Sequence, residues 1–482
     1  MTKELRRVSL VVAAMFLSLF IAATMLQAVN PEAVADDPRN VRNIYESYKT
    51  QRGPILVDGK PIAFSEPVDN AYRYQRVYDN EIYSGVTGYF SVFRGATGIE
   101  SAANSYLSGQ SSSQFFEQVN AVLSGNPVTG AAVELTLDPK LQQAAWDALG
   151  SYKGALIAID PKTGNILAMV SKPGFDANKI AGHDSDKVAK NYAELEADSA
   201  KPLINKTIGG DLYHPGSVFK LVVAAAALES GQYTNKSTFL NPVSVKLPNS
   251  SSEVFNSSRA ACGSGSTVTL IYAMRFSCNV PFVELGLELG QERLRAQAEL
   301  FGFGKEIRVP MVSTPSVFPE EMDDAQLGLS SFGQFDVRVS PLQMALVSSA
   351  IANGGWMMQP NLIESVISPN LSVIASPQPE VLAQPITAAT AESLKKMMVQ
   401  GVTKGVASNA AVAGAKVAGK TGTAENGKGE RVTLWFTGFA PSNDPRIAIA
   451  LVIEDGGGRD SGASGNGTAA PVARSFFKAV FG

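Results

Sequence analysis

A hydroxyl and an amine one helical turn apart can make a serine nucleophilic without a histidine. Ser-x-x-Lys achieves this, because residues i and i+3 share a helix face. A desolvated lysine can be neutral near pH 7 and can accept the serine proton. The pattern occurs at Ser217–Lys220, Ser393–Lys396 and Ser475–Lys478. Two further polar tripeptides can complete such a site. Ser-x-Asn begins at Ser124, Ser277, Ser368 and Ser464, and Lys-Thr-Gly begins at Lys162 and Lys420. The composition narrows the alternatives. With 2 His (His183 and His214) and 2 Cys (Cys262 and Cys278), a His-rich metal centre and a four-Cys zinc site are excluded. No metal or organic cofactor is expected.

A single match to any of these patterns carries little weight, but their order does. Serine acyl-transferases with this set carry Ser-x-x-Lys first, Ser-x-Asn second and Lys-Thr-Gly last. Ser475 has nothing after it, Ser393 has no Ser-x-Asn before Lys420, and Lys162 precedes every Ser-x-x-Lys. Ser217 and Lys420 remain. For the middle element, Ser368-Pro369-Asn370 lies between two apolar runs and reads as a turn. Ser277-Cys278-Asn279 lies between two helical stretches, where a short loop can reach a cleft.

The surroundings of Ser217 support this choice. Pro215-Gly216 breaks the chain, and Val218 to Ala224 is apolar nearly all round, as in a central buried helix. Lys220 is the lone charge in that run, which favours a lowered pKa. Ser217 would stand at a helix N-terminus, where backbone N–H groups favour a developing oxyanion. A simple N-cap is the alternative, but a cap does not require a buried lysine one turn later. Lys420 has a second reading. Gly414 to Thr421 matches the phosphate-loop pattern G-x-x-x-x-G-K-[ST]. That motif needs a strand before and a helix after. Here a small-residue run precedes it and Thr423 to Glu430 is a poor helix, so an edge strand followed by a hairpin loop is expected.

The elements that must position these residues follow from periodicity. Strands are expected at Ala155–Ile159, Ile166–Val170, Thr433–Gly438 and Ile447–Glu454. Helices are expected at Leu141–Leu149, Phe219–Glu229, Thr269–Phe276, Val280–Leu289, Pro341–Ala352, Ala388–Val402 and Ala473–Val480. Strands at both ends with helices between them indicate an α+β domain whose sheet is assembled from both termini. The 482 residues carry 41 Lys plus Arg against 44 Asp plus Glu, a net charge of −3, so nucleic acid is not an expected partner. Apolar residues are 45% of the chain, enough for a substantial core. Lys3, Arg6 and Arg7 precede an uncharged run, Val8 to Val29, about 33 Å long as a helix. This reads as a retained membrane anchor with its N-terminus in the cytoplasm; a signal peptide cleaved after Ala33-Val34-Ala35 is the rival. Asn30 to about Gly130 is polar and irregular, with Gly125 to Gly130 linker-like. Its Arg and Tyr residues read as solvated or structural.

The chain resembles the class B, monofunctional penicillin-binding proteins, most closely the short actinobacterial A-type members. The resemblance covers about Gly154 to the C-terminus. Beyond the three motifs it includes Asp160-Pro-Lys-Thr-Gly164, His214-Pro-Gly-Ser-Val-Phe-Lys220, Gly333-Gln334, Ser340-Pro-Leu-Gln343, Ala352-Asn-Gly-Gly355, Trp435-Phe-Thr-Gly438 and Ala469-Ala-Pro471. In the N-terminal part Arg52-Gly53-Pro54-Ile55 and Gly98-Ile99-Glu100 match as well. The middle motif departs from the common Ser-Asp-Asn. The resemblance implies a penicillin-binding, serine β-lactamase-like fold with an antiparallel sheet flanked by helices. It divides the chain into a cytoplasmic tail at 1–7, an anchor at 8–29, a non-catalytic pedestal at 30–145 and a transpeptidase domain at 146–482.

The resemblance also implies roles. Ser217 is the nucleophile and Lys220 its base. Ser277 and Asn279 shuttle a proton and hold the peptide, and Lys420 supplies positive charge. Thr421, Gly422 and Thr423 bind substrate. Stem peptides ending in D-Ala-D-Ala and β-lactams are the expected ligands, with cell-wall synthesis or division proteins as partners and an extracytoplasmic catalytic domain. Cys262 and Cys278 either pair, stabilising by about 3 kcal/mol, or are two buried inert thiols. A D,D-carboxypeptidase, a β-lactamase and a non-catalytic scaffold are the rival functions. Ser217→Ala is expected to abolish labelling by a fluorescent penicillin. Labelling that survives there and vanishes in Ser393→Ala would overturn the assignment.

Overall fold

The computed structural model describes residues 2–25, 50–124, 128–459 and 462–482. Helix α1 (Thr2–Thr24) is exposed along its length, and Lys3–Thr24 is long and apolar enough to cross a membrane. Residues 26–29 of the expected span, the Ala33–Ala35 cleavage alternative and residues 125–127 of the expected linker lie outside the described residues. Strands β1 (Ile55–Val57), β2 (Lys60–Pro67) and β3 (Tyr74–Tyr78) follow, and β4 (Ala132–Leu135) pairs parallel to β1. Gly130 is no loose tether. A Cβ there would lie 1.7 Å from the Leu107 carbonyl oxygen, so only glycine lets the two backbones approach.

Helix α2 (Pro139–Leu149) starts where the Asp138 carboxylate accepts from the N–H groups of Lys140 (2.8 Å) and Leu141 (3.1 Å), with Pro139 in the first turn. Strands β5 (Gly154–Ile159) and β6 (Ile166–Lys172) form a hairpin. Helices α3 (Lys220–Glu229), α4 (Leu270–Phe276), α5 (Val280–Leu289) and α6 (Pro341–Ala352) come next. Strands β7 (Ile363–Ile367) and β8 (Val373–Ala375) are joined by the Ser368–Asn370 turn, as expected, with the Leu371 N–H donating to the Ser368 carbonyl (2.8 Å). Helix α7 (Ala388–Lys404), strands β9 (Ala418–Ala424), β10 (Thr433–Ala440) and β11 (Ile447–Ile453), and helix α8 (Ala470–Phe481) complete the chain.

The central sheet is antiparallel with strand order β9-β10-β11-β5-β6, so both ends of the resembling region do build it. The unbroken apolar run of β11 reflects burial on both faces. Ala155, Ile157 and Ile159 of β5 join the core that contains α3 and α6, while Leu156 and Ala158 join the core under α2 and α8. A second sheet, ordered β8-β7-β4-β1-β2-β3, draws β7 and β8 from far along the chain onto the N-terminal strands. The two parts are thus tied by main-chain hydrogen bonds.

The N-terminal part also holds a buried ion cluster. Glu100 is fully buried and accepts from Arg52 Nε (2.5 Å), Arg76 Nε (2.6 Å) and the Tyr78 hydroxyl (3.1 Å). Burial pushes the Glu100 carboxyl up, and Arg76 and Arg52 outweigh it, holding the group below its ordinary value. Arg52 and Arg76 are therefore structural rather than solvated. Glu100→Gln would leave two buried guanidiniums without a counter-charge. It is expected to destabilise the protein by about 3–5 kcal/mol, read from urea unfolding; a loss below about 1 kcal/mol would contradict this account.

Candidate active site

Ser217 lies on a tight turn, Gly216–Val218, that runs directly into α3. Its side chain caps nothing, and among the described residues its hydroxyl has no hydrogen-bond partner. The turn is held by close backbone approach. Gly216 (φ 52°) donates to the Gly333 carbonyl (2.8 Å), and a Cβ on Gly333 would come within 2.1 Å of the Gly216 oxygen. On the other side, a Cβ on Gly422 would meet the Pro215 oxygen at 2.8 Å. The glycine of Lys-Thr-Gly is thus needed for β9 to lie against the Ser217 turn.

Lys220 opens α3 and is wholly buried. Its Nζ donates to the Ser277 carbonyl (2.9 Å), the Cys278 carbonyl (2.9 Å) and Asn279 Oδ1 (2.8 Å), with Ser277 Oγ at 3.5 Å. Burial, reinforced by the Lys420 charge, pushes its pKa well below that of a free lysine. Ser277 ends α4 in the left-handed region (φ 58°), which turns the carbonyls of 277 and 278 inward, and Asn279 begins α5. Cys278 between them is disulfide-bonded to Cys262, with the Cα atoms 5.9 Å apart. Lys420, on the edge strand β9, donates to Ser277 Oγ (2.8 Å) and to the Thr421 carbonyl (2.8 Å); burial lowers its pKa to about 7. The Ser277 hydroxyl lies between two lysines, accepts from Lys420, and keeps its own proton to donate.

A cavity of about 770 Å³ opens over these groups, lined by Ser217, Ser277, Asn279, Thr421, Gly422 and Thr423. The Thr421 hydroxyl is committed to the Val406 carbonyl (2.9 Å), whereas Thr423 Oγ1 accepts from the Gly465 N–H (3.0 Å) and retains its proton for a ligand. The rejected motif matches stand elsewhere. Lys396 is exposed beside Glu392, Ser475 and Lys478 face solvent, and Lys162 pairs with Asp444 at the surface. Ser464-Gly465-Asn466 does line the cavity, with Gly465 packed against Thr421 and Gly422. His214 is held in place on both sides: its Nδ1 meets the Val337 carbonyl (3.2 Å), and its own carbonyl accepts from Trp435 (2.9 Å). The phosphate-loop reading fails because β9 turns directly into antiparallel β10. Phe255 and Asn256, which touch Asn279, carried no signal in the sequence; a pair of asparagines 23 residues apart belongs to no motif.

The family described as the penicillin binding protein transpeptidase domain matches residues 154–478, and the penicillin binding protein A dimerisation domain matches residues 52–133. This chain belongs to the penicillin-binding transpeptidases. Peptidoglycan D,D-transpeptidase PbpA of Mycolicibacterium smegmatis is 38% identical over 100% of this chain and 99% of its own. The protein of the same name from Mycobacterium tuberculosis is 36% identical over the same shares. The structure of penicillin-binding protein A from M. tuberculosis as a ceftriaxone acyl-enzyme superposes with a TM-score of 0.86 at 35% identity, covering 91% of this chain and 100% of that one. Its penicillin G acyl-enzyme gives a TM-score of 0.84 at 35% identity, covering 90% and 100%. In this penicillin-binding transpeptidase β9 lies directly against the Ser217 turn. Gly422→Ala is expected to slow penicillin acylation by about 10²-fold, the cost of displacing reacting groups by about 1 Å. Stopped-flow acylation kinetics test it; an unchanged rate would show that the strand yields without consequence.

Proposed function

We infer that this chain is a peptidoglycan D,D-transpeptidase that cross-links stem peptides through an acyl-enzyme on Ser217 and is acylated there by penicillins. The observation that carries this reading is the desolvated Lys220 amine, one turn from a serine hydroxyl that has no partner among the described residues, and joined through Ser277 to Lys420. Ser217 Oγ attacks the carbonyl carbon of the D-Ala-D-Ala bond, and its proton passes to neutral Lys220. The oxyanion would be met by the N–H groups of Ser217 and Thr423. The C–N bond then breaks, and the leaving D-alanine nitrogen takes a proton through Ser277. An amine of a second stem peptide attacks the ester and yields its proton, and Ser217 is restored as a hydroxyl. Asn279 holds Lys220 and the peptide backbone. Lys420 and the Thr423 hydroxyl hold the terminal carboxylate, with Thr421 assisting once its hydroxyl turns from Val406.

The placement and domain roles belong to the same proposal. Residues 1–7 form the cytoplasmic tail, 8–29 the anchor, 30–145 a non-catalytic pedestal and 146–482 the transpeptidase domain outside the cell membrane. Cell-wall synthesis or division proteins are its partners. The pairing of Cys262 with Cys278 backs the loop that carries Ser277 and Asn279.

Supplying a D-Ala-D-Ala peptide with an amine acceptor distinguishes the rivals. Dimeric amide product is expected; D-alanine release without it would indicate a carboxypeptidase, and a penicilloyl-enzyme that turns over within seconds a β-lactamase. The pH dependence follows from the two lysines. The rate should rise with pH as Lys220 loses its proton. It should fall above about 7 as Lys420 loses the charge that holds the carboxylate. Both limbs belong to the coupled pair. A rate that stays flat from about pH 6 to 9 would contradict these roles.

A further inference from the structure

Asparagine is among the residues best suited to cap a helix, and Asn279 stands at the N-terminus of α5. Yet its side chain makes no cap hydrogen bond. Its Oδ1 is instead spent on Lys220 (2.8 Å) and its Nδ2 on the Phe255 carbonyl (2.8 Å). The cap comes from elsewhere in the chain. The buried Asn256 places its Oδ1 2.8 Å from the Asn279 N–H and 3.2 Å from the Val280 N–H. Its Nδ2 donates to the Ala260 carbonyl (3.0 Å), which fixes which end of the carboxamide faces α5.

We propose that Asn256 is a positioning residue for the catalytic apparatus, one that caps α5 in place of Asn279 and so frees the Asn279 carboxamide to orient Lys220. The proposal rests on the transpeptidase reading of Ser217 and Lys220. Self-capping would need an extended backbone at Asn279, whereas its φ is −86° and its ψ −44°, so the N–H groups at this helix end need an acceptor from elsewhere. Phe282 now makes only a bond to the Asn279 main-chain oxygen (3.0 Å), and Pro281 offers no N–H at all. Asn256 satisfies the helix end, and the Phe255 carbonyl beside it holds the amide nitrogen, so segment 255–256 sets both the position and the rotation of Asn279. The chain that follows this segment is also held. Asn241 accepts from the Cys262 N–H (2.7 Å) and donates to the Gly265 carbonyl (2.8 Å).

The test is the acylation rate constant and pH profile with a fluorescent penicillin, together with the fraction of protein labelled, in the full chain. Asn256→Ala should lower the rate constant about tenfold, a fraction of what a lost general base costs, with the labelled fraction unchanged. Asn256→Asp keeps the acceptor, so it should recover most of the rate. Its added carboxylate should move the rising limb to higher pH by favouring the Lys220 ammonium, against the Lys420 charge that now disfavours it. In an Asn279→Ala background, Asn256→Ala should cause no further loss. An unaltered rate constant and profile in both Asn256 variants would overturn the proposal, as would a loss confined to the labelled fraction or an undiminished effect in the Asn279→Ala background. A wild-type protein that takes no label would instead overturn the transpeptidase reading beneath it.

Discussion

An amine buried beyond the reach of water has to find its hydrogen-bond partners inside the protein, and Lys220 finds three oxygens on one short loop. That requirement organises the catalytic domain. The acceptors are the carbonyls of Ser277 and Cys278 and the carboxamide of Asn279, and they converge only because Ser277 takes a left-handed conformation between two helices. A water-filled site would relieve the same need, but it would raise the pKa of the amine and remove its capacity to take a serine proton. The loop therefore satisfies the lysine while keeping it dry.

The second lysine tightens the arrangement. Lys420 is also buried, and its charge in the same pocket disfavours protonation of Lys220. Ser277 Oγ bridges them and is the one side-chain hydroxyl that both lysine amines approach among the described residues. Proton movement between the two sides of the reaction then needs little motion of heavy atoms. The rest of the fold fixes distances. The five-stranded sheet is buried on both faces, and close approach at Gly216, Gly333 and Gly422 seats the Ser217 turn between β9 and the Gly333 loop. The N-terminal sheet, which borrows β7 and β8, ties the N-terminal part to the rest of the chain by main-chain hydrogen bonds.

The elements with strong local signals were legible in the sequence. The unbroken apolar stretch after Ser217, the β11 run and the hairpin Ala155–Val170 follow their own periodicity because burial on all sides or both faces leaves a pattern in the residues themselves. Motif order singled out Ser217 and Lys420, and local context chose Ser277 over Ser368, whose Pro369-Asn370 reads as a turn. The Arg52–Glu100–Arg76 cluster was not legible as a cluster. Arginine and glutamate are ordinarily solvated, and nothing local shows that residues 24 and 48 apart meet in a dry core. The same holds for Asn256, whose partner is a helix end contributed by another part of the chain.

What the sequence determined by itself was the chemical inventory and its likeness to a family. It supplied a serine, two lysines, a second serine and an asparagine in the order that this acyl-transfer chemistry uses, and an apolar run long enough to anchor the chain. Only the tertiary structure decided their electrostatics. Lys220 and Lys396 are the same residue in the same Ser-x-x-Lys pattern, yet one lies among carbonyls without water and the other faces solvent beside Glu392. A lysine's pKa depends on how much water it has lost and on which charges surround it, and both are set by packing between segments distant in the chain.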